Sequence, residues 1–363
     1  MQSIDGIIIG GGVIGLATGS LLSRQFECCV LEQEAIPGSH TSSRNSGVIH
    51  AGLYYPPDFL KTRLCIAGRE RLYHYCQQHA IEHRRCGKLL VATDKSQLAR
   101  LQQLQKQAAG NGLALQWLDK VELNALEPAL SAYAALLSPH SGIIDSDQLM
   151  RQLCADIEQN GSYIACRQQV SALEKTANGF TVTINHSESI HCRWLINSAG
   201  LQAQAIAAML LPDALIPPLY YSKGQYYSYQ HVAPFSHLIY PVPPVDGSGL
   251  GIHATLDISG QIRFGPDATP VNTPDYVIND DNRATFIKAI RSYYPALDEN
   301  RLQADYCGIR PRLNPPGTAT ADFCIQTPDV HGLQGLINLY GVESPGLTAS
   351  LAIANTIAQQ VAG

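Results

Sequence analysis

The chain has 363 residues, 45% of them hydrophobic and 15% charged, with a formal net charge of −5 at pH 7. This is the balance of a globular protein of about two domains with ample material for a core. With no basic block, it argues against nucleic acid as a partner. Ten cysteines include no C-x-x-C, and twelve histidines show no zinc-site spacing with them. Reduced, buried thiols in a cytoplasmic protein are therefore expected, with no metal. The apolar N-terminal stretch is broken by Asp5 and by glycines and follows no basic segment, which fits neither a signal peptide nor a membrane span. Peripheral contact with a membrane, such as the inner membrane, stays open.

Ile4 to Ile9 reads as a strand buried on both faces, running into Gly10-x-Gly12-x-x-Gly15. Gly10 suits the tight turn, Gly12 a close approach to a pyrophosphate, and Gly15 helix packing on the sheet. The following helix, Ile14 to Leu22, would present its N-terminus to the anion. Cys28 to Leu31 is a second strand ending at Glu32, the offset at which an acid accepts adenosine ribose hydroxyls. Strand, glycine turn, helix, strand and acid in this order imply an adenine dinucleotide site.

Pro37 to Gly47 is a polar loop, and the spacing predicts a helix over Leu60 to Gln78. Lys88 to Thr93 reads as a strand and Leu98 to Ala109 as a helix stopped at Gly110-Asn111-Gly112. Asp145 precedes a helix from Gln148 to Gln159, and Val170 to Glu174 pairs with Phe180 to Ile184 as a hairpin. Arg193 to Asn197 is a further strand, entering Ser198-Ala199-Gly200. From Pro217 to Gly265 come evenly spaced strands, Gln225 to Tyr229, Leu238 to Val242, Gly249 to Thr255 and Gln261 to Gly265, which imply an antiparallel sheet. A helix over Asn282 to Tyr293 follows, and Leu336 to Leu339 then Ser344 to Val361 return to strand, loop and helix.

The expected fold is α/β with an α+β insertion. A discontinuous dinucleotide-binding domain takes 1–82, 142–214 and 306–363, and an antiparallel-sheet substrate domain takes 83–141 and 215–305. A nicotinamide dehydrogenase completes its second mononucleotide half directly after the first. Here a large insertion intervenes before a glycine-rich loop near the end of the chain, a plan that suits a flavin.

Three segments carry a resemblance: Ser42-Ser43-Arg44-Asn45-Ser46-Gly47-Val48-Ile49-His50-Ala51-Gly52-Leu53-Tyr54-Tyr55; Ile239-Tyr240-Pro241-Val242-Pro243 with Gly251-Ile252-His253; and Tyr340-Gly341-Val342-Glu343-Ser344-Pro345-Gly346-Leu347-Thr348-Ala349-Ser350. They resemble the L-2-hydroxyglutarate dehydrogenase family, within the D-amino-acid oxidase and glycine oxidase group of FAD-dependent oxidoreductases. The resemblance implies a glutathione-reductase-type, Rossmann-like FAD-binding domain and oxidation of a small carboxylate substrate. By position it implies that Gly10, Gly12, Val13, Ile14, Gly15, Glu32 and Gln33 hold the ADP half of FAD. Thr41, Ser43, Arg44, Asn45 and Ser46 would line the pyrophosphate and flavin. Val170 would meet the adenine through its backbone, and Ala199 and Gly200 would pass close to the cofactor. Gly341, Glu343, Ser344, Pro345, Gly346, Leu347 and Thr348 would lie against the isoalloxazine, where N–H donors meet the charge that develops on reduction.

Gly308-Ile309-Arg310-Pro311 is similar to the Gly-Leu-Arg-Pro motif of glycine oxidase-like enzymes, whose arginine binds substrate carboxylate beside the flavin. A guanidinium meets a carboxylate in two parallel hydrogen bonds. An alcohol, unlike an amine, profits from a positioned base, so His253 is the candidate base and His50 a flavin- or substrate-side group. Tyr240, Tyr227 and Lys223 are candidate substrate contacts. Lys223 stands where the hydroxyglutarate enzymes are expected to have arginine, exchanging a fork for a point charge. The expected reaction is hydride transfer from Cα of a small 2-hydroxy acid to flavin N5. The alternative is oxidation of glycine or a D-amino acid. The electron acceptor is left open among oxygen, a quinone and another flavoprotein.

Overall fold

A computed structural model describes residues 2–242 and 251–362. Strand Gln2–Ile9 forms where the apolar run stands, with Ile8 in the core on one face and Ile7 and Ile9 in the core on the other. Burial on both sides goes with parallel pairing, and its neighbours Cys28–Leu31 and Glu188–Asn197 both run parallel to it. Leu336–Tyr340 joins Glu188–Asn197 in parallel, so the chain's last strand returns to the sheet that its first strand began. The hairpin Val170–Thr176 and Gly179–Ile184 pairs with the first half of Glu188–Asn197 on the same side as Leu336–Tyr340.

Helices Val13–Leu22, Leu60–Gln78, Ser146–Gln159 and Gly346–Ala362 share one core through Leu16, Leu72, Leu153 and Ile353, none of them measurably exposed. Each such side chain contributes roughly 1.5–3 kcal/mol on leaving water. The tight packing explains two glycines. Gly10 has φ +100°, and a Cβ there would lie 2.7 Å from the Ser198 carbonyl oxygen. A Cβ on Gly15 would lie 2.0 Å from the Gly10 oxygen, so the first helix could not sit this close to the turn with any larger residue.

A second sheet holds Lys88–Ala92, Gln116–Leu118, Ala134–Ser138, Tyr220–Tyr229, Leu238–Pro241, Ala254–Leu256, Ile262–Phe264, Thr269–Val271 and Leu302–Arg312 among the described residues. It differs from the expectation in two ways. Leu238–Pro241 pairs parallel with Lys88–Ala92, so the sheet is mixed rather than antiparallel. These strands lie far apart in sequence, so no hairpin turn imposes their direction. Leu302–Arg312 is a single strand paired along Tyr220–Tyr229, so a boundary between 305 and 306 divides one element of the second sheet. Residues 243–250, including Pro243 and the first two positions of the strand expected from Gly249, lie outside the described residues. A small sheet of Val48–Ile49, Gly142–Ile144 and His83–Arg84 anchors the loop that leads to His50.

Candidate active site

Between the two sheets runs a cleft of about 430 Å³. Its first end is the glycine turn, lined by Gly10, Gly12, Val13 and Ile14, with Glu32 and Gln33 opposite. Both Glu32 carboxylate oxygens are held by backbone, accepting from Gly11 N and Glu34 N at 2.8 Å each, and each keeps a lone pair for a further donor. The first helix carries no acid in its first turn, so its positive end faces the cleft uncompensated. Val170, Ala199 and Gly200 complete this end.

Thr41, Arg44, Asn45 and Ser46 line the middle. The Arg44 guanidinium carbon lies 4.1 Å from the centre of the Tyr276 ring, and its buried Nε has no hydrogen-bond partner among the described residues. A diphosphate with a ribose and a flat ring system fits this donor set, and FAD is such a group. Three expected contacts lie elsewhere. Ser43 is exposed and bonds back to the His40 carbonyl oxygen, and Ser42 takes its place, its Oγ accepting from Val13 N at 2.9 Å. Gly15 acts by packing and does not reach the cleft. Thr348 Oγ1 instead accepts from the His50 backbone N–H at 3.0 Å.

At the second end, strand Tyr220–Tyr229 presents Gly224 and Tyr226 to the cleft. Alternation sends Lys223 and Tyr227 the other way. Lys223 pairs with Asp275 at 3.1 Å and bonds the Val277 carbonyl. Tyr227 donates to Asp280 at 2.9 Å and packs on Phe286 in the core of the second sheet. Neither is a cleft residue, which corrects both expected substrate contacts.

Arg310, His50, His253 and Tyr240 do meet at this end, beside Gly341, Glu343, Ser344, Pro345, Gly346 and Leu347. Tyr226 and Ser46 line the cleft with Arg310, burial raises the Tyr226 pKa and Arg310 works against that shift, and Arg310 forms no ion pair among the described residues. Its guanidinium thus keeps donors for an anion. His253 stacks on Tyr240, with ring centroids 3.6 Å apart and planes at 14°. Burial drives His50 well below its ordinary value, and Lys88, His253 and Arg310 add to the shift, so its ring is neutral at pH 7.

Lys88 is the group that sequence reasoning missed. It opens a strand whose other residues are all apolar, and a lysine at a strand end is ordinarily solvated. Here the parallel strand Leu238–Pro241 covers it, and it is 0% exposed. Burial lowers its pKa from 10.5 to about 7. Between those values the folded protein binds fewer protons than the unfolded chain, so this group adds stability as pH rises. Lys88→Met should therefore be relatively more stable near neutrality and lose that advantage toward pH 10. Urea midpoints of both proteins at the two pH values check this; a difference that does not change with pH refutes it.

Residues 5–360 match the family of FAD dependent oxidoreductases named DAO. Over 99% of this chain and 83% of its own length, a mitochondrial L-2-hydroxyglutarate dehydrogenase of Arabidopsis thaliana is 36% identical. An L-2-hydroxyglutarate dehydrogenase of Salmonella houtenae is 30% identical over 98% of this chain and 93% of its own. Among solved structures, an FAD-bound L-alpha-glycerophosphate oxidase of Mycoplasma pneumoniae superposes with a TM-score of 0.90 at 26% identity, covering 100% of this chain and 96% of that one. A glycine oxidase of Geobacillus kaustophilus, 19% identical with a TM-score of 0.85 over 100% and 95% of the two chains, shares the fold. The chain belongs to the DAO family of FAD-dependent oxidoreductases, in the branch of the L-2-hydroxyglutarate dehydrogenases.

Proposed function

We propose that this FAD-dependent oxidoreductase oxidises a small 2-hydroxy acid of the L-2-hydroxyglutarate type to the 2-oxo acid. The observation that carries the reading is the meeting of Arg310 with two imidazoles in one cleft beside the Gly341 to Leu347 loop. The relatives' names point to the same substrate class. FAD, when bound, supplies the acceptor for the two electrons that leave Cα, held by Gly10, Gly12, Glu32, Arg44 and the loop from Gly341. Arg310 binds the substrate carboxylate through two N–H groups, with Tyr226 beside it in the cleft lining. His253 takes the hydroxyl proton as the C–O bond gains double-bond character. Tyr54 and Tyr240 exclude water from this end.

Anaerobic mixing with a panel of hydroxy and amino acids tests the reading, with loss of the yellow flavin absorbance as signal. L-2-Hydroxyglutarate should bleach the protein; bleaching by amino acids alone would sink the proposal. His253→Ala should slow bleaching by about 10²- to 10⁴-fold, the usual range for a lost general base, with little change in the concentration for half-saturation. An unchanged rate points to a substrate that needs no base.

A further inference from the structure

Two lysines are buried beside the reacting end, and their surroundings differ. Lys61 Nζ meets Glu343 Oε1 at 2.9 Å. Lys88 pairs with no carboxylate among the described residues; its Nζ lies 3.4 Å from His50 Nδ1 and 4.0 Å from the centre of the Tyr240 ring. A cation withdrawn from water without a counter-ion is costly, so the partner it does have carries weight.

The chemistry of that contact has a direction. Below its lowered pKa of about 7 Lys88 is an ammonium, with donors and no lone pair, so in that form the lysine donates and His50 accepts at Nδ1. A neutral imidazole carries one N–H, which then sits on Nε2. That nitrogen lies 3.3 Å from Ser344 Oγ, which can accept from it, at the edge of the loop where the flavin is expected. The rest of His50 is pinned as well. Its backbone N–H donates to Thr348 Oγ1, and its carbonyl accepts from the Cys65 thiol at 3.5 Å.

We propose that Lys88 is a positioning residue that makes His50 a hydrogen-bond donor at Nε2, which leaves His253 as the proton acceptor on that wall. His50 and His253 both line this cleft. The low pKa of His50 agrees with a ring that stays neutral between Lys88 and Ser344. The groups that face Lys88 are His50 and Tyr54 from the loop after Val48–Ile49, Cys65 from helix Leu60–Gln78, Cys86 just before its own strand, and Tyr240 from Leu238–Pro241. None is a carboxylate, so none would hold the lysine as a simple ion pair. The role given to His253 rests on the hydroxy-acid reading above, whereas the tautomer of His50 does not.

The ring nitrogens can be read directly. In holoenzyme labelled with ¹⁵N at histidine, long-range proton–nitrogen spectra distinguish Nε2–H from Nδ1–H, and His50→Gln assigns the signal by removing it. The wild type should show Nε2–H below pH 7, where Lys88 is an ammonium. In Lys88→Met the pattern should move to mixed tautomers or Nδ1–H, and flavin reduction by the substrate should slow by on the order of tenfold, as for a misplaced catalytic hydrogen bond. Methionine suits a buried site, and flavin content and thermal midpoint confirm that the variant is folded. An Nδ1–H signal in the wild type overturns the proposal, and so does a tautomer that Lys88→Met leaves unchanged. Failure of the hydroxy-acid reading would show in the substrate panel and not in the ring spectra, so the two are separable.

Discussion

Arg310→Met should lower kcat/KM for the hydroxy acid by about 30- to 4,000-fold, because losing one side of a desolvated charge pair costs roughly 2–5 kcal/mol. The guanidinium lines the cleft together with Tyr226 and forms no ion pair of its own among the described residues. Its hydrogen-bonding capacity is therefore directed at the ligand. Arg310→Lys should recover only part of the loss, since a point charge replaces a planar fork. A substrate analogue with the 1-carboxylate masked as an ester supplies the cross-check. The wild type should discriminate strongly against the ester, and Arg310→Met should not, because the two changes remove one interaction and cannot add. Equal discrimination by both proteins would place the carboxylate elsewhere.

The second large effect concerns stability. Lys61 and Glu343 form an ion pair with side chains 1% and 8% exposed. Lys61 Nζ also lies 5.2 Å from the centre of the Tyr55 ring and 5.4 Å from that of Phe323. Burial lowers the Lys61 pKa, and Glu343 works against that shift. Glu343→Gln should destabilise the fold by about 3–5 kcal/mol, the cost of stranding one member of a buried pair. Replacing both, with Lys61→Met and Glu343→Gln together, should return part of that stability, since no isolated charge remains. Urea unfolding of the three proteins measures this, and a double variant no better than the single one would refute it. Because Glu343 also lines the cleft, the single variant should retain less FAD after gel filtration.

Much of the fold was legible in sequence for a local reason. Cys28–Leu31 and Leu60–Gln78 have the expected bounds, and Leu98–Gly110 extends its expectation by one residue. In these segments apolar periodicity, caps and glycine stops lie within the element itself. That end of the cleft was legible too, because Gly10, Gly12 and Glu32 sit on a turn and at the end of an adjoining strand. Ser42 and Ser43 show the limit. Both are small hydroxyl residues of one loop, and only the path of that loop turns the first toward Val13.

By itself, the sequence determined a dinucleotide-type turn at the start of the chain and singled out Arg310, His50 and His253, which the structure brings into one cleft with the loop from Gly341. Only the tertiary structure decided which side chains share the cleft. Lys223 and Tyr227 leave it because residues on a strand alternate between faces, and which face meets the cleft depends on pairing with Leu302–Arg312, some eighty residues away. Lys88 enters it because a parallel strand from the far side of the chain covers a position that would otherwise be solvated. Local pattern specifies an element, but the environment of a side chain is set by partners distant in sequence, and an amine buried against an imidazole acquires its chemistry from that environment.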